Sequence, residues 1–336
     1  MRAMVINEFG GPERFGRVRV DEPVLPPGHV LIRVAASSVN PIDCKIRQGL
    51  APAISPDFPA VLHGDVAGVI EAVGEGVTDL AAGDEVYACA GGLKGHGGAL
   101  AELMVADAQL VAAKPASLSL LDAAALPLVG ITAWEALIDR AGVGPGQRVL
   151  VHGGAGGVGH VGLQLARGAG AIVCTTVSNE AKAEAARTLG ADGVINYREQ
   201  SVEDYVEQYT GSEGFDVVFD TVGGANLVTS FAAARPGGTV VSVQARVTAD
   251  LALMHSRGLT LHVVFMLLPM LTGVGKAHHG EILRRLARLV DGGRIRPLFD
   301  PEVFPFTRVG EAHAKLEAGR AIGKIRLRSD LAEGSG

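Results

Sequence analysis

Val149-Leu150-Val151-His152-Gly153-Gly154-Ala155-Gly156-Gly157-Val158-Gly159 is the stretch whose reading decides the fold. Its apolar start, Val149 to Val151, reads as a buried strand. The run breaks on glycines and passes into Val161-Gly162-Leu163-Gln164-Leu165-Ala166, which reads as the first turns of a helix. Gly154, Gly156 and Gly159 satisfy G-x-G-x-x-G in the strand–turn–helix context that gives the pattern meaning. The first glycine permits the turn and the second removes a side chain that would block a pyrophosphate. The third lets the helix lie close on the strand. Open N–H groups and the positive end of the helix dipole then face the phosphates. Without that context the glycines read as a turn with no ligand. With it, Gly154, Ala155, Gly156, Gly157, Val158 and Gly159 are expected to form a dinucleotide site.

Downstream, strands over 172–177, 193–195, 217–220, 239–243 and 259–265 are expected, with helices over 158–168 and 180–189. That alternation is a doubly wound parallel sheet with its ligand at the carboxyl ends of the strands. Upstream, Asp122 is expected to cap a helix running towards Leu128, with a second helix over 132–141. Before residue 118 the pattern is of short strands (3–6, 29–35, 67–73, 85–87) broken by Pro26-Pro27-Gly28 and Ala82-Gly83-Asp84. This is a barrel-like β region with one helical turn near 41–47. After Pro269 a helix over 281–290 leads to a strand–helix–strand tail ending Gly323-Lys324-Ile325-Arg326-Leu327. The tail is too short for a domain and is expected to return to the N-terminal region. The chain therefore reads as α/β, with one discontinuous domain of 1–120 and 270–336 and a nucleotide-binding domain of 121–269.

The chain has 336 residues, enough for about two domains. Its 30 Lys+Arg against 36 Asp+Glu are mixed along the chain, so no basic block suggests a nucleic-acid partner. Cys44, Cys89 and Cys174 form no C-x-x-C pair, which argues against a disulfide framework and for a reducing compartment. Met1-Arg2-Ala3-Met4-Val5-Ile6 enters a strand with no signal-peptide pattern, and the apolar run Val263 to Leu268 stops at Pro269, far short of a membrane span. Glu333-Gly334-Ser335-Gly336 reads as a frayed tail. A cytoplasmic protein with no membrane partner is expected. The apolar strand over 259–265 belongs at a sheet edge, where it invites a second copy, so a homodimer is expected.

NAD-specific sites of this kind place a carboxylate at the end of the second strand, about 20 residues past the glycines. Here that position falls on Thr175-Thr176-Val177-Ser178-Asn179, with no carboxylate at the tip. Ser178 offers a hydroxyl and Lys182 an ammonium, both suited to a 2′-phosphate, so NADPH is the expected cofactor. The other reading makes Lys182 a solvated helix lysine and gives the ribose hydroxyls to Glu180.

The order of β region, nucleotide-binding region and returning tail resembles the medium-chain dehydrogenase/reductase superfamily. Ala36-Ser37-Ser38-Val39-Asn40-Pro41-Ile42-Asp43 is similar to the S-V-N-P-x-D segment of its quinone oxidoreductase branch. Gly64-Asp65-Val66-Ala67-Gly68-Val69, Pro127-Leu128-Val129-Gly130-Ile131-Thr132-Ala133-Trp134, and Gly223-Gly224 after Phe219-Asp220-Thr221-Val222 match in order, from Ala3 to about Leu327. The resemblance implies a Rossmann fold plus a discontinuous GroES-like β-barrel domain, and reduction of a quinone or an α,β-unsaturated carbonyl. It implies Tyr197 beside the 2′-phosphate, Thr132 near the phosphates and nicotinamide, and Val222, Val243 and Gln244 where backbone meets cofactor. Lys324 would reach a phosphate from the tail. Asn40, Asp43 and Lys45 are the candidate catalytic residues: Asn40 bonding substrate or cofactor, Lys45 anchoring the cofactor or donating to the carbonyl, Asp43 orienting its neighbours. The plainer reading of Asn40 to Asp43 is a capped turn at the start of a short helix. His96, in a glycine loop, is a further candidate donor; His152 and His160 read as packing residues.

Zinc alcohol dehydrogenases of the superfamily carry a Cys where this chain has Ser38 to Asn40, and a G-H-E motif at the next strand. Leu62-His63-Gly64-Asp65 imitates that motif, but aligning Asp65 with the Glu puts Gly64 at the ligand position. His63 falls one place out, which on a strand turns it to the other face. A catalytic zinc needs three protein ligands on one site, and Cys44 and Cys89 are not spaced to complete one. No metal is expected. NADPH then supplies the hydride, and a quinone or enone suits as acceptor because it delocalises the accepted charge. A zinc-type alcohol dehydrogenase, an enoyl-thioester reductase and a non-catalytic NADPH-binding protein are the competing readings.

Overall fold

A computed structural model describes residues 1–331, so the expected frayed tail at 333–336 lies outside the described residues. The chain separates into two compact units. One comprises Met1–Leu128, Leu267–Gly292 and the chain from Phe299 onward; the other comprises Val129–Met266 and Gly293–Leu298.

In the first unit β1 (Arg2–Val5) pairs antiparallel with β2 (Gly16–Arg19). β3 (His29–Ser38), α1 (Pro41–Arg47), β4 (Asp65–Val73), β5 (Glu85–Cys89), β6 (Leu103–Asp107) and β7 (Val111–Ala113) follow. α2 (Leu120–Ala123) starts on Ser119, whose hydroxyl accepts from the Asp122 N–H. Asp122 is therefore inside the first turn and not the cap, and its carboxylate meets Arg326 at 2.6 Å. α3 (Pro127–Trp134) begins on a proline, where a missing N–H costs nothing, and runs on as a π-helix over Glu135–Arg140. Helices expected over 122–128 and 132–141 are thus replaced by a short turn and one longer helix.

The second unit alternates β8 (Arg148–His152), α4 (Gly157–Gly168), β9 (Ile172–Val177), α5 (Glu180–Thr188), β10 (Gly193–Asn196) and α6 (Val202–Thr210). β11 (Phe215–Asp220), α7 (Asn226–Ala233), β12 (Ala234–Ser242), α8 (Ala252–Ser256) and β13 (Thr260–Val263) complete it. The strands are parallel in the order β10-β9-β8-β11-β12-β13, so the winding reverses between β8 and β11. Leu150, Ile195, Phe215, Val218 and Phe231 fill one side of the sheet, each side chain worth about 1.5–3 kcal/mol of burial. The strand expected over 259–265 is only four residues long; past its pairing with β12, Phe265 is 46% exposed.

The chain re-enters the first unit with α9 (Leu268–Thr272), α10 (Lys276–Asp291), β14 (Phe299–Pro305), α11 (Val309–Glu317) and β15 (Lys324–Arg328). β15 pairs antiparallel with β3, Arg326 opposite Ser38, and the Val39 N–H donates to the Ile325 carbonyl at 3.2 Å. The sheet order is β14-β15-β3-β4-β5-β7, with β6 also on β3. The returning tail therefore lays Lys324 beside Val39 and Asn40.

Candidate functional site

In the second unit the turn after β8 is shaped at Gly153, whose φ of +72° is the left-handed region glycine tolerates. Each fingerprint glycine is required for a different space. A Cβ on Gly154 would stand 2.1 Å from Thr175 Oγ1, and one on Gly159 would stand 2.1 Å from the Gly153 carbonyl oxygen. Gly156 is the N-cap of α4, has no side-chain cap, and a Cβ there would meet only the Gly153 oxygen, at 3.1 Å. The first-turn amides of Gly157, Val158 and Gly159 thus start a helix with no side chain over them, and Gly156, Gly157 and Val158 are half-exposed. Ala155 and Thr132 are buried.

Past the tips of β9 and β10, which pair Val177 opposite Asn196, stand Ser178 and Tyr197, with Lys182 in the first turn of α5. Asn179 caps α5 by accepting from the Lys182 N–H at 3.0 Å, and the Tyr197 N–H donates to Val177 at 3.2 Å, so the segments are tied together. Tyr197 is 54% exposed. The Glu180 carboxylate meets Arg187 at 2.6 Å, an ion pair on its own helix. At the end of β11 a buried carboxylate not singled out from the sequence, Asp220, accepts from the Val222 and Gly223 N–H groups and from Asn226 Nδ2 at 2.8–3.1 Å. Gly223 has φ +71°, and a Cβ on it would stand 2.2 Å from the Gln244 carbonyl oxygen. This brings Val222, Val243 and Gln244 into one loop cluster.

In the first unit α1 begins on Asn40, whose backbone N–H donates to Asp43 Oδ2 at 2.8 Å. The Asn40 side chain is committed at both ends: Nδ2 donates to Asp65 Oδ2 at 2.8 Å, and Oδ1 accepts from Lys324. Asp65, read from the sequence as the counterpart of the motif's Glu but not as a site residue, is fully buried; it also accepts from Ser38 Oγ at 2.7 Å and from the Leu128 N–H at the start of α3, at 2.8 Å. Burial, then the neighbouring Asp65 charge, push the Asp43 carboxyl up to about 7. Burial also lowers the Lys324 ammonium while Asp65 and Asp43 hold it up. Lys324 is 3% exposed and bonds the Val39 carbonyl at 3.1 Å, so the expected reach to a phosphate is replaced by an inward-facing ion pair. Asn40 is 1% exposed and acts here as a linker of side chains, while Lys45 lies half-buried on α1.

His63 precedes β4 in left-handed backbone, φ +73°, so that conformation rather than strand alternation sets the direction of its ring. Its Nδ1 lies 3.3 Å from Ser37 Oγ and its Nε2 2.8 Å from His313 Nε2. Arg47, fully buried, donates to His313 Nδ1 at 3.3 Å and pairs with Glu317. These partners put the His313 proton on Nε2 and the His63 proton on Nδ1. Burial depresses both histidines, His63 to about 3. Cys44, His313 and Glu317 have potential ligand atoms within 4.8 Å. Both His313 nitrogens are already used, and the buried guanidinium repels a cation, so this group does not fit a metal. The candidate donor His96 is turned to the Met270 carbonyl at 3.1 Å.

A model of the alcohol dehydrogenase GroES-like domain matches residues 26–116, and a model of zinc-binding dehydrogenases matches residues 189–327. The NADPH-dependent alkenal/one oxidoreductase of Arabidopsis thaliana chloroplasts is 34% identical over 332 residues, 97% of this chain and 78% of that protein. The 2-methylene-furan-3-one reductase of Solanum lycopersicum is 36% identical over 97% of this chain and 78% of its own length. A quinone oxidoreductase of Escherichia coli solved with NADPH superposes with a TM-score of 0.87 at 28% identity, covering 98% of this chain and 100% of that one. This chain belongs to the medium-chain dehydrogenase/reductase superfamily, in its quinone and enone reductase branch.

Zinc appears in the description of one matching family, so the donors of the Asp65 cluster bear on the fit. Lys324 Nζ stands 3.6 Å from Asp65 Oδ2 and on Asn40 Oδ1. A divalent ion about 4 Å from that ammonium meets repulsion on the order of 8 kcal/mol at an effective dielectric near 20. Position 64 is glycine and offers no ligand; a Cβ there would stand 3.1 Å from Cys89 Sγ. Burial and the nearby carboxylates hold the Cys89 thiol well above its usual range, opposing the thiolate that zinc requires. The residues present do not fit zinc.

Proposed function

We propose that this protein is an NADPH-dependent, zinc-independent oxidoreductase that reduces a quinone or an α,β-unsaturated carbonyl. The observation that supports the reading is the end of β9, where a carboxylate would repel a 2′-phosphate and none stands, with Ser178 there, Lys182 in the first turn of α5 and Tyr197 after β10. Glu180, the competing ribose ligand, is 80% exposed and pairs with Arg187 on its own helix.

Bound NADPH supplies the hydride. The chain holds the pyrophosphate on the open amides of Gly157, Val158 and Gly159 at the positive end of α4. Ser178, Lys182 and Tyr197 hold the 2′-phosphate. Gly223 keeps Val222, Val243 and Gln244 in register for backbone contacts, and Thr132 serves from α3. In the first unit, taken as the catalytic domain, Asp43, Asp65 and Lys324 hold Asn40 rigidly. Lys45, half-buried on α1, anchors the cofactor or donates to an oxygen in this reading. The proton that completes reduction is assigned to solvent, because the segment after Asp43 carries no tyrosine to donate it. Among the described residues no helix is long and apolar enough to cross a membrane. A cytoplasmic homodimer joined at the edge strand β13 is part of the same proposal, supported by the exposed Val263 and Phe265 and by three buried free thiols.

Calorimetric titration tests the cofactor reading. NADPH is expected to bind at least about 10-fold tighter than NADH, the increment of one or two charged hydrogen bonds. Equal affinities would refute it.

A further inference from the structure

The cluster around Asp65 raises a question that the reductase reading does not answer: why five polar groups are gathered in a fully buried place around one lysine. Ser38, Asn40, Asp43 and Asp65 are buried, and the thiol of Cys89 is directed at Asp65. The two segments that carry metal ligands in the zinc branch, by the resemblance described above, are Ser38–Asn40 and Gly64–Asp65. In this chain both segments converge on Lys324 Nζ, through Asn40 Oδ1, the Val39 carbonyl at 3.1 Å and Asp65 Oδ2 at 3.6 Å. The two oxygens accept hydrogen bonds from the ammonium, and the Asp65 carboxylate stands beside it as the counter-ion. The lysine comes from the far end of the chain, delivered by the antiparallel pairing of β15 with β3. The Cβ that Gly64 lacks would stand 2.9 Å from the Gly91 carbonyl oxygen, so a histidine is sterically refused there as well.

We infer that Lys324 is this protein's built-in replacement for a metal ion: its ammonium is the cation around which Asn40, Val39 and Asp65 are organised, and it keeps the pocket closed to divalent metals. The inference rests on the first unit alone and holds whichever acceptor the enzyme reduces. Removing the ammonium leaves Asp65 buried without a counter-ion, the arrangement in which breaking one partner of a buried pair is most destabilising. It also leaves a cavity bounded by a carboxylate, an amide oxygen and a carbonyl oxygen, oxygen donors that a divalent cation accepts.

The test uses the full-length chain, dialysed against chelator and then against Co²⁺, with bound metal counted and thermal unfolding followed. Wild type is expected to bind no stoichiometric Co²⁺ and to melt at the same temperature with and without it. Lys324→Ala is expected to melt roughly 5–10 °C lower, and then to take up about one equivalent of Co²⁺ and recover part of that loss. Should Lys324→Ala fail to fold, Lys324→Gln, whose amide keeps a donor for Asn40 or Val39, carries the same readouts. Stoichiometric Co²⁺ or Zn²⁺ in wild type, a variant as stable as wild type, or a folded variant indifferent to Co²⁺ overturns the inference. None of these readouts depends on turnover, so they fail or stand independently of the reductase reading.

Discussion

Lys182 stands in the first turn of α5, four residues past Ser178 at the end of β9, and is half-buried. Lys182→Ala is expected to raise the KM for NADPH about 10-fold or more, the loss of a charge-assisted bond, while leaving the NADH value within about twofold. Parallel steady-state assays with the two cofactors check this; equal effects on both would mean that the lysine does not meet the 2′-phosphate. Ser178 and Lys182 are reached in the sequence by a fixed count from the glycines, whereas Tyr197 comes only with the family resemblance. Asp65 and Lys324 were not legible in the same way. The Asn40–Lys324 bond joins residues 284 apart, and no local pattern distinguishes a lysine that ends in a buried ion pair from one that reaches a ligand. The signals for Asp65 were its alignment with the Glu of the zinc-branch motif and a carboxylate set into the otherwise apolar start of a strand.

At the scale of the element, the turn from β8 into α4 separates stability from binding. On Gly159 a methyl group meets the Gly153 carbonyl and the Gly154 Cα, at 2.1 and 3.0 Å, backbone that cannot step aside. Gly159→Ala is therefore expected to cost roughly 1–3 kcal/mol in denaturant unfolding and to weaken NADPH as well. Gly156→Ala places its methyl group in open space apart from one 3.1 Å contact, so stability is expected to stay within about 1 kcal/mol while NADPH affinity falls at least 10-fold. Equal NADPH affinity in Gly156→Ala would show that no phosphate approaches that residue. The βα alternation was readable because each strand of this sheet is a short apolar run bounded by turn residues. The boundaries near 120–140 were not, because Ser119 and Asp122 are both competent caps and only packing decides. Asp122 is drawn off by Arg326, a partner 204 residues away, and Ser119 takes the helix.

Across the whole molecule, buried histidines govern the response to acid. Burial depresses His63 to about 3, His152 to about 4, and His313 well below the usual histidine range. An unfolded chain binds protons on all three near pH 6.5, so stability is full above that pH and is lost as pH falls towards the folded values. Asp43 acts in the opposite sense: held near 7 when folded, it contributes stability below that value and loses it as pH rises through 7. Three groups against one leave a net uptake of about two protons on unfolding near pH 5, or roughly 2–3 kcal/mol per pH unit. Melting temperatures from pH 7 to 4.5 should fall steeply below 6.5, and a flat profile would contradict the buried neutral histidines. The proposed dimer has its own check: Phe265→Glu at the end of β13 should convert a species of twice the chain mass into monomer in light scattering, whereas wild type that is monomeric at the outset removes the dimer.

The most direct measurement follows NADPH oxidation by chelator-treated enzyme, with 9,10-phenanthrenequinone and with a short enone as acceptors. Turnover on at least one of them, about 10-fold or more faster at low cofactor with NADPH than with NADH and unchanged by further chelator or added Zn²⁺, is the expected result. No oxidation with either acceptor, or activity that disappears on chelation and returns with zinc, would contradict a metal-free NADPH-dependent reductase.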